Sequence, residues 1–220
     1  MTLTMLIAAG AVAVAVLTAI ALAAVAGRHR RAHHRLHTRL QSDPLTMLPN
    51  RAALTSHLAG LARTGCGYTL CLLNLDRFAY LNLHAGYRTG DELLVLAAAR
   101  LAHAAQACRQ TRVFKLVGDE YAITTTTTDS AELLARLREA VTGTYELHTC
   151  GHQITTRIAA TAGAATSPRY ARLPAATMLR RADQALQAAK RHHRNTISIW
   201  QPHLDTLPLT RHRRIRTAQT

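Results

Sequence analysis

Two small clusters of amide and carboxylate side chains are the parts of this chain equipped for chemistry. Asn74 and Asp76 close the apolar run Leu70-Cys71-Leu72-Leu73-Asn74-Leu75, and Asp119 and Glu120 lie within Val117-Gly118-Asp119-Glu120-Tyr121. Side chains alternate along a strand, so Asn74 and Asp76 share one face. Residues 112–116 read as a second strand, Val117-Gly118 as a tight turn and 121–128 as the return strand, which puts Asp119 and Glu120 at a hairpin tip. Oxygen donors on neighbouring strand ends suit hard divalent cations that bridge phosphate oxygens and activate an attacking hydroxyl. A Gly-Asp-Glu tripeptide alone carries little weight, because acidic hairpin tips are commonly just solvated turns.

The surrounding elements must hold these tips in place. After the first strand come Phe78, Leu81 and Asn82, then Gly86, Gly90 and Asp91, then an Ala/Leu helix pattern from Glu92 to about Gln106. Asp91 starts that helix or occupies its first turn. The run Thr124–Thr128 suits the end of a strand, and Asp129-Ser130 caps a helix over 131–141. A second hairpin runs through Thr149 to His152, a helix spans Ala175 to Arg191, and a last strand covers 196–200.

Four segments taken together resemble the GGDEF family. They are Asp43-Pro44-Leu45-Thr46-Met47-Leu48-Pro49-Asn50-Arg51, the block from Asn74 to Asp91, Val117 to Tyr121, and Arg181-Ala182-Asp183-Gln184-Ala185-Leu186 with Lys190 and Arg194. The resemblance covers about residues 42–200 in the family's order and spacing. It implies an α/β palm-like fold of the ferredoxin-like, nucleotidyl cyclase type. It also implies diguanylate cyclase chemistry: each subunit of a symmetric dimer holds one GTP, and the two 3′-hydroxyls attack opposing α-phosphates to give cyclic di-GMP.

By position, the resemblance gives Asn82 and Asp91 to the guanine edge, where an amide and a carboxylate match its donors and acceptors. It gives Lys190 and Arg194, read as i, i+4 on the last helix, to the triphosphate; the plain alternative is a basic outer helix face. Gly118 would admit backbone close to phosphate. Asp119, Asn74, the backbone carbonyl of Leu75 and Glu120 would hold Mg²⁺ or Mn²⁺, with Asp119 and Glu120 as the catalytic pair.

Departures from the family pattern point to impaired turnover. Asn74 stands where the family has Asp, and an amide ligates without bringing charge. A unit charge pair at about 4 Å is worth roughly 4 kcal/mol at an effective dielectric near 20, so the loss is expected to cost powers of ten in rate. Asp76, on the same face, is a partial substitute or simply a capping carboxylate. Val117 replaces the first glycine of the signature, placing a β-branched residue where unusual dihedrals are expected. Tyr87, Leu83 and His193 replace the usual His, Asp and Gly. The family's product-inhibition Arg-x-x-Asp falls at Cys108–Thr111, which reads Cys-Arg-Gln-Thr, so that site is not expected here.

Outside this region, residues 1–27 contain no charged side chain and are long enough to cross a hydrocarbon core of roughly 30 Å. They read as one transmembrane helix. A cleaved signal peptide is the rival, but the segment lacks an initial Lys or Arg. A basic linker, 28–41, follows with five arginines, and the positive-inside rule keeps that end in the cytoplasm, where GTP is found. The expected location is therefore the inner membrane, single-pass, with residues 42–200 cytoplasmic and 201–220 forming a basic tail. Ala11, Ala15, Ala19 and Ala23 make a small-residue stripe that would permit helix pairing, although alanine-rich segments produce such stripes by chance. Dimerisation, with a second copy or with another GGDEF protein, follows better from the chemistry of joining two nucleotides.

The net charge of +15 lies partly in that linker and partly in Arg211–Arg216, and both runs would attract anionic lipid. Nucleic acid is not the expected partner, since no aromatic residues interleave the arginines. Cys66, Cys71, Cys108 and Cys150 form no C-x-x-C pair, so neither a zinc site nor a disulfide framework is expected. Three functional readings stand: a weak Mg²⁺-dependent diguanylate cyclase, a degenerate GTP binder, and a dimerising membrane scaffold.

Overall fold

The computed structural model describes residues 41–108, 110–126, 130–149, 151–202 and 204. The expected membrane helix, most of the basic linker, Arg109, residues 127–129, Cys150 and most of the basic tail lie outside the described residues. Among those described, no helix is long and apolar enough to cross a membrane. The described residues from Ser42 onward form one compact unit.

Asn50 caps the first described helix, α1 (Arg51–Thr64), its Oδ1 accepting from the Ala52 and Ala53 amides at 2.9 and 3.2 Å. Gly65, at φ 68°, ends it in the left-handed conformation that favours glycine. Strand β1 (Tyr68–Leu75) follows, and all eight of its residues are buried. A strand buried on both faces must be central. Helices α2 (Phe78–Ala85) and α3 (Tyr87–Ala105) lead to the hairpin of β2 (Thr111–Lys115) and β3 (Glu120–Thr125). Then come α4 (Ser130–Val141), the hairpin β4 (Gly143–Thr149) and β5 (His152–Ile158), strand β6 (Ala160–Ser167), α5 (Ala175–His192) and β7 (Ile197–Ile199).

The main sheet runs β2-β3-β1-β6-β7; its pairs are antiparallel except β6 with β7. Alternation along β1 splits the core in two. Cys71, Leu73 and Leu75 meet Leu93, Ala97 and Leu101 of α3 and Leu133 and Leu137 of α4. Leu70 and Leu72 meet Leu54 and Leu58 of α1, Phe114, and Met178, Ala182 and Leu186 of α5. Each fully buried leucine contributes roughly 1.5–3 kcal/mol relative to exposure. On this second face α5 lies so close to β6 that a Cβ on Gly163 would fall 1.9 Å from the Leu186 amide nitrogen. That contact fixes where the end of α5 emerges.

The small β4–β5 sheet is tied to α3. Glu92 accepts from the backbone amide and Nδ1 of His148 at 2.7 and 2.8 Å, and the Thr89 hydroxyl donates to the His148 carbonyl at 2.9 Å. Several sequence expectations shift here. Helix α3 starts at Tyr87, a turn earlier than expected, so Asp91 lies in its second turn rather than its first. Helix α5 ends at His192, so Arg194 is not on the same helix as Lys190.

Candidate functional site: the β1 and β3 tips

Because β1 and β3 are hydrogen-bonded neighbours, the register places Asn74 directly opposite Glu120. Residues opposed in an antiparallel pair project to the same face. The backbone Leu75 amide donates to the Asp119 carbonyl at 3.2 Å, drawing the hairpin turn against the end of β1. Asn74 is buried, and its amide stands near enough to the Asp119 carboxylate to favour the charged form. Burial holds that carboxyl above the usual aspartate range, opposed by a backbone hydrogen bond, the attraction of Lys190 and the Asn74 contact. The sequence-predicted residues Asn74, Asp119, Glu120 and Lys190 therefore do converge.

The hairpin's geometry revises one expectation. Of its turn residues only Gly118 has positive φ, at 62°, while Val117 keeps ordinary dihedrals and is 70 % exposed. A β-branched residue is not strained there. Lys115 was not evident as a site residue. It is buried, and its Nζ donates to the Leu116 carbonyl at 3.2 Å and also to the Gly118 carbonyl, bracing the turn from within. Burial pulls its amine below the ordinary lysine value, opposed by Asp43, Asp119 and Glu120. A single cation inside the apolar run Val113-Phe114-Lys115-Leu116 is the signal that could have marked it.

Asp76 does not supply the missing metal charge. Its Oδ1 accepts from Arg194 Nη1 at 2.8 Å, and its Oδ2 accepts from the Thr161 hydroxyl at 2.7 Å and the Asn195 amide at 3.3 Å. The carboxylate is thereby committed within the protein.

A second group of residues lies along α2 and α3. Asn82 Oδ1 is buried without a hydrogen-bond partner, an arrangement that calls for a ligand donor or a water. Beside it, a Cβ on Gly90 would stand 1.8 Å from that oxygen and 3.2 Å from Phe78 Cε2, so a larger residue there would displace the Asn82 side chain. Asp91 follows immediately and is exposed. Leu83 and Tyr87, which depart from the family pattern, are 82 % and 80 % exposed. At the expected product-inhibition position, Cys108 and Thr111 line a depression of about 380 Å³ with Leu48, Ala105 and Val113. None of these described residues is acidic or basic.

The oxygen donors at the β tips fit a hard divalent cation: two carboxylates, an amide and a nearby backbone carbonyl. The set carries one negative charge fewer than it would with aspartate at position 74. Among the described residues, no group of three or more His, Cys, Asp or Glu side chains is placed to hold a metal ion.

The model of the family described as "Diguanylate cyclase, GGDEF domain" matches residues 40–196. The chain belongs to the GGDEF family. It is 31 % identical over 166 residues to the diguanylate cyclase DgcP of Pseudomonas aeruginosa, covering 72 % of this chain and 24 % of that protein. It is likewise 31 % identical over 172 residues to the diguanylate cyclase DosC of Escherichia coli, covering 74 % and 35 %. This chain thus spans a quarter to about a third of these relatives' length. The coiled coil and GGDEF domain of DgcB from Caulobacter crescentus, solved in complex with c-di-GMP, superimposes with a TM-score of 0.68. That alignment has 24 % identity and covers 80 % of this chain and 94 % of that one, which establishes the shared fold.

Proposed function

We propose that this protein is a membrane-anchored, GTP-binding GGDEF protein whose diguanylate cyclase activity is weak because its cation site has lost charge. The observation that carries this reading is the convergence of Asn74, Asp119 and Glu120 at the paired ends of β1 and β3, with Lys190 close enough to act on Asp119. In the proposed reaction two GTP molecules, one on each subunit of a dimer, each lose pyrophosphate. Each 3′-oxygen forms a bond to the other's α-phosphorus as the α–β phosphoanhydride breaks.

Asn82 and Asp91 hold the guanine edge, Lys190 and Arg194 meet the triphosphate, and Gly118 leaves room for phosphate, since nothing lies within 4 Å of its virtual Cβ. Asp119, Glu120, Asn74 and the Leu75 carbonyl would hold Mg²⁺ or Mn²⁺. Such a cation neutralises charge on the phosphates and lowers the pKa of the attacking hydroxyl. The anchor is residues 1–27, and facing half-sites come from a second copy or another GGDEF protein.

One observation favours a second reading, a GTP binder without turnover. Position 74, beside the Asp119 carboxylate, offers a neutral amide where a cation would need charge. Incubating the purified protein with GTP and Mg²⁺ or Mn²⁺ tests both readings, with cyclic di-GMP and GTP affinity measured together. Product above a metal-free blank supports the cyclase, and GTP binding without product supports the binder. If neither is seen in folded protein, only a scaffold role remains.

A further inference from the structure

Arg194 leaves the end of α5 through His193, which is extended at φ −150° and ψ 118°. The chain then turns sharply at Asn195, whose φ of 62° is left-handed. Asparagine tolerates that region better than most residues. Nothing in the helix itself directs the arginine toward the β1 tip. Asp76 does so: it is only 5 % exposed, two residues beyond Asn74 on the same strand face, and it takes Arg194 Nη1 at 2.8 Å.

The carboxylate is itself fixed. The Thr161 hydroxyl on neighbouring β6 donates to it at 2.7 Å and accepts from the Asn195 amide at 2.9 Å. From the other side of the turn, Arg138 of α4 donates to the Asn195 carbonyl at 3.0 Å and to its side-chain oxygen. Three elements therefore clamp Arg194 and Asn195 just beyond α5. A guanidinium has five N–H donors. One is committed to Asp76, and the Arg194 side chain remains 58 % exposed.

We infer that Asp76 is a positioning residue that holds Arg194 at the mouth of the nucleotide site, presenting its remaining donors to the polyphosphate. This rests on the nucleotide-binding reading above. It gives the buried carboxylate a task other than ligating metal, and it explains how a residue beyond the helix reaches the site. A buried carboxylate with one charged and two neutral donors is a costly arrangement to keep unless it is fully satisfied, as it is here.

The test is titration calorimetry of GTP and GMP on the native chain, Asp76→Asn, Arg194→Ala and the double variant. Arg194→Ala and Asp76→Asn should each weaken GTP about tenfold, the usual scale of one lost charge-assisted contact. GMP, with only one phosphate, should change less than about twofold, and the double variant should be no worse than Arg194→Ala. Additive losses, equal losses for GTP and GMP, or unchanged GTP affinity in Asp76→Asn would each overturn the inference. Should Asp76→Asn fail to fold, Thr161→Val takes its place, with a GTP loss of about threefold and GMP unchanged; an unchanged GTP affinity there overturns it equally. If the native chain binds neither nucleotide, the nucleotide reading itself fails and takes this inference with it.

Discussion

The two ends of the proposed nucleotide site have fared differently. Along α2 and α3, Asn82 keeps a buried, unpartnered amide oxygen beside a glycine that leaves it room, with Asp91 alongside. At the β1 and β3 tips the fold is equally well built, with Asn74 in register with Glu120 and the Asp119 turn drawn against Leu75, yet position 74 carries an amide where the resemblance leads one to expect a carboxylate. Both ends are well ordered in geometry, and on the proposed reading one of them is short of charge. Recognising a base needs shape and hydrogen bonds, whereas transferring a nucleotidyl group needs charge placed where charge develops. A chain built this way is expected to keep affinity longer than rate.

Restoring the charge should have the largest effect. Asn74→Asp is expected to raise cyclic di-GMP formation by about a hundredfold, within the roughly 4 kcal/mol that one charge supplies at about 4 Å and an effective dielectric near 20. Adding Val117→Gly should change the rate less than about twofold, because Val117 already has ordinary dihedrals and faces solvent. An unchanged rate in folded, GTP-binding Asn74→Asp protein would mean that charge is not what limits the β tips.

The base end breaks by crowding. Gly90→Ala would place a methyl 1.8 Å from Asn82 Oδ1, and GTP affinity should fall by at least about thirtyfold, with about 1–3 kcal/mol of lost stability from overpacking. Asn82→Ala should be milder. A loss of about tenfold in GTP affinity, with ATP unaffected, corresponds to one or two hydrogen bonds to the base. Equal losses for GTP and ATP would remove Asn82 from base recognition.

The smallest effect concerns stability at the β tips. Burial raises the Asp119 pKa, so the proton is bound more tightly in the folded chain than in the unfolded one. The resulting stabilisation is fully present below the ordinary aspartate pKa and is lost as pH rises through the raised one. Asp119→Asn should therefore stabilise the fold at pH 7 in the absence of metal by roughly 0.5–2 kcal/mol, read as a higher Tm. Thermal melts at pH 7 and at about pH 4 check this: the advantage should shrink at the lower pH, near the reference aspartate value of about 3.9.

Much of this arrangement was legible in the sequence. The apolar run of β1, the hairpin with Gly118 at its tip, the β4–β5 hairpin and the amphipathic α5 all carry period or turn signals that match the structure closely. Strand β6 left almost no mark, because Ala160-Thr161-Ala162-Gly163-Ala164-Ala165-Thr166-Ser167 lacks the large branched residues that announce a strand. Those residues are small for a reason: α5 packs directly on Gly163. Helix α1 was likewise not anticipated, although the Asn50 that caps it stands at the end of a recognised motif.

Arg194 was placed on the wrong element, since i, i+4 spacing from Lys190 suggests one helix and the helix stops two residues short. The Asp76 network was hidden altogether. Its partners, Thr161, Arg194 and Asn195, lie 85 to 119 positions away in sequence, and no local pattern links them.

The most direct test of the contrast between the two ends is calorimetric binding of GTP and ATP to the native protein in Mg²⁺, with product formation followed in the same preparation. GTP should bind at least about tenfold more tightly than ATP while cyclic di-GMP accumulates slowly or not at all. Equal affinity for the two nucleotides, or fast turnover by the native chain, would contradict the account.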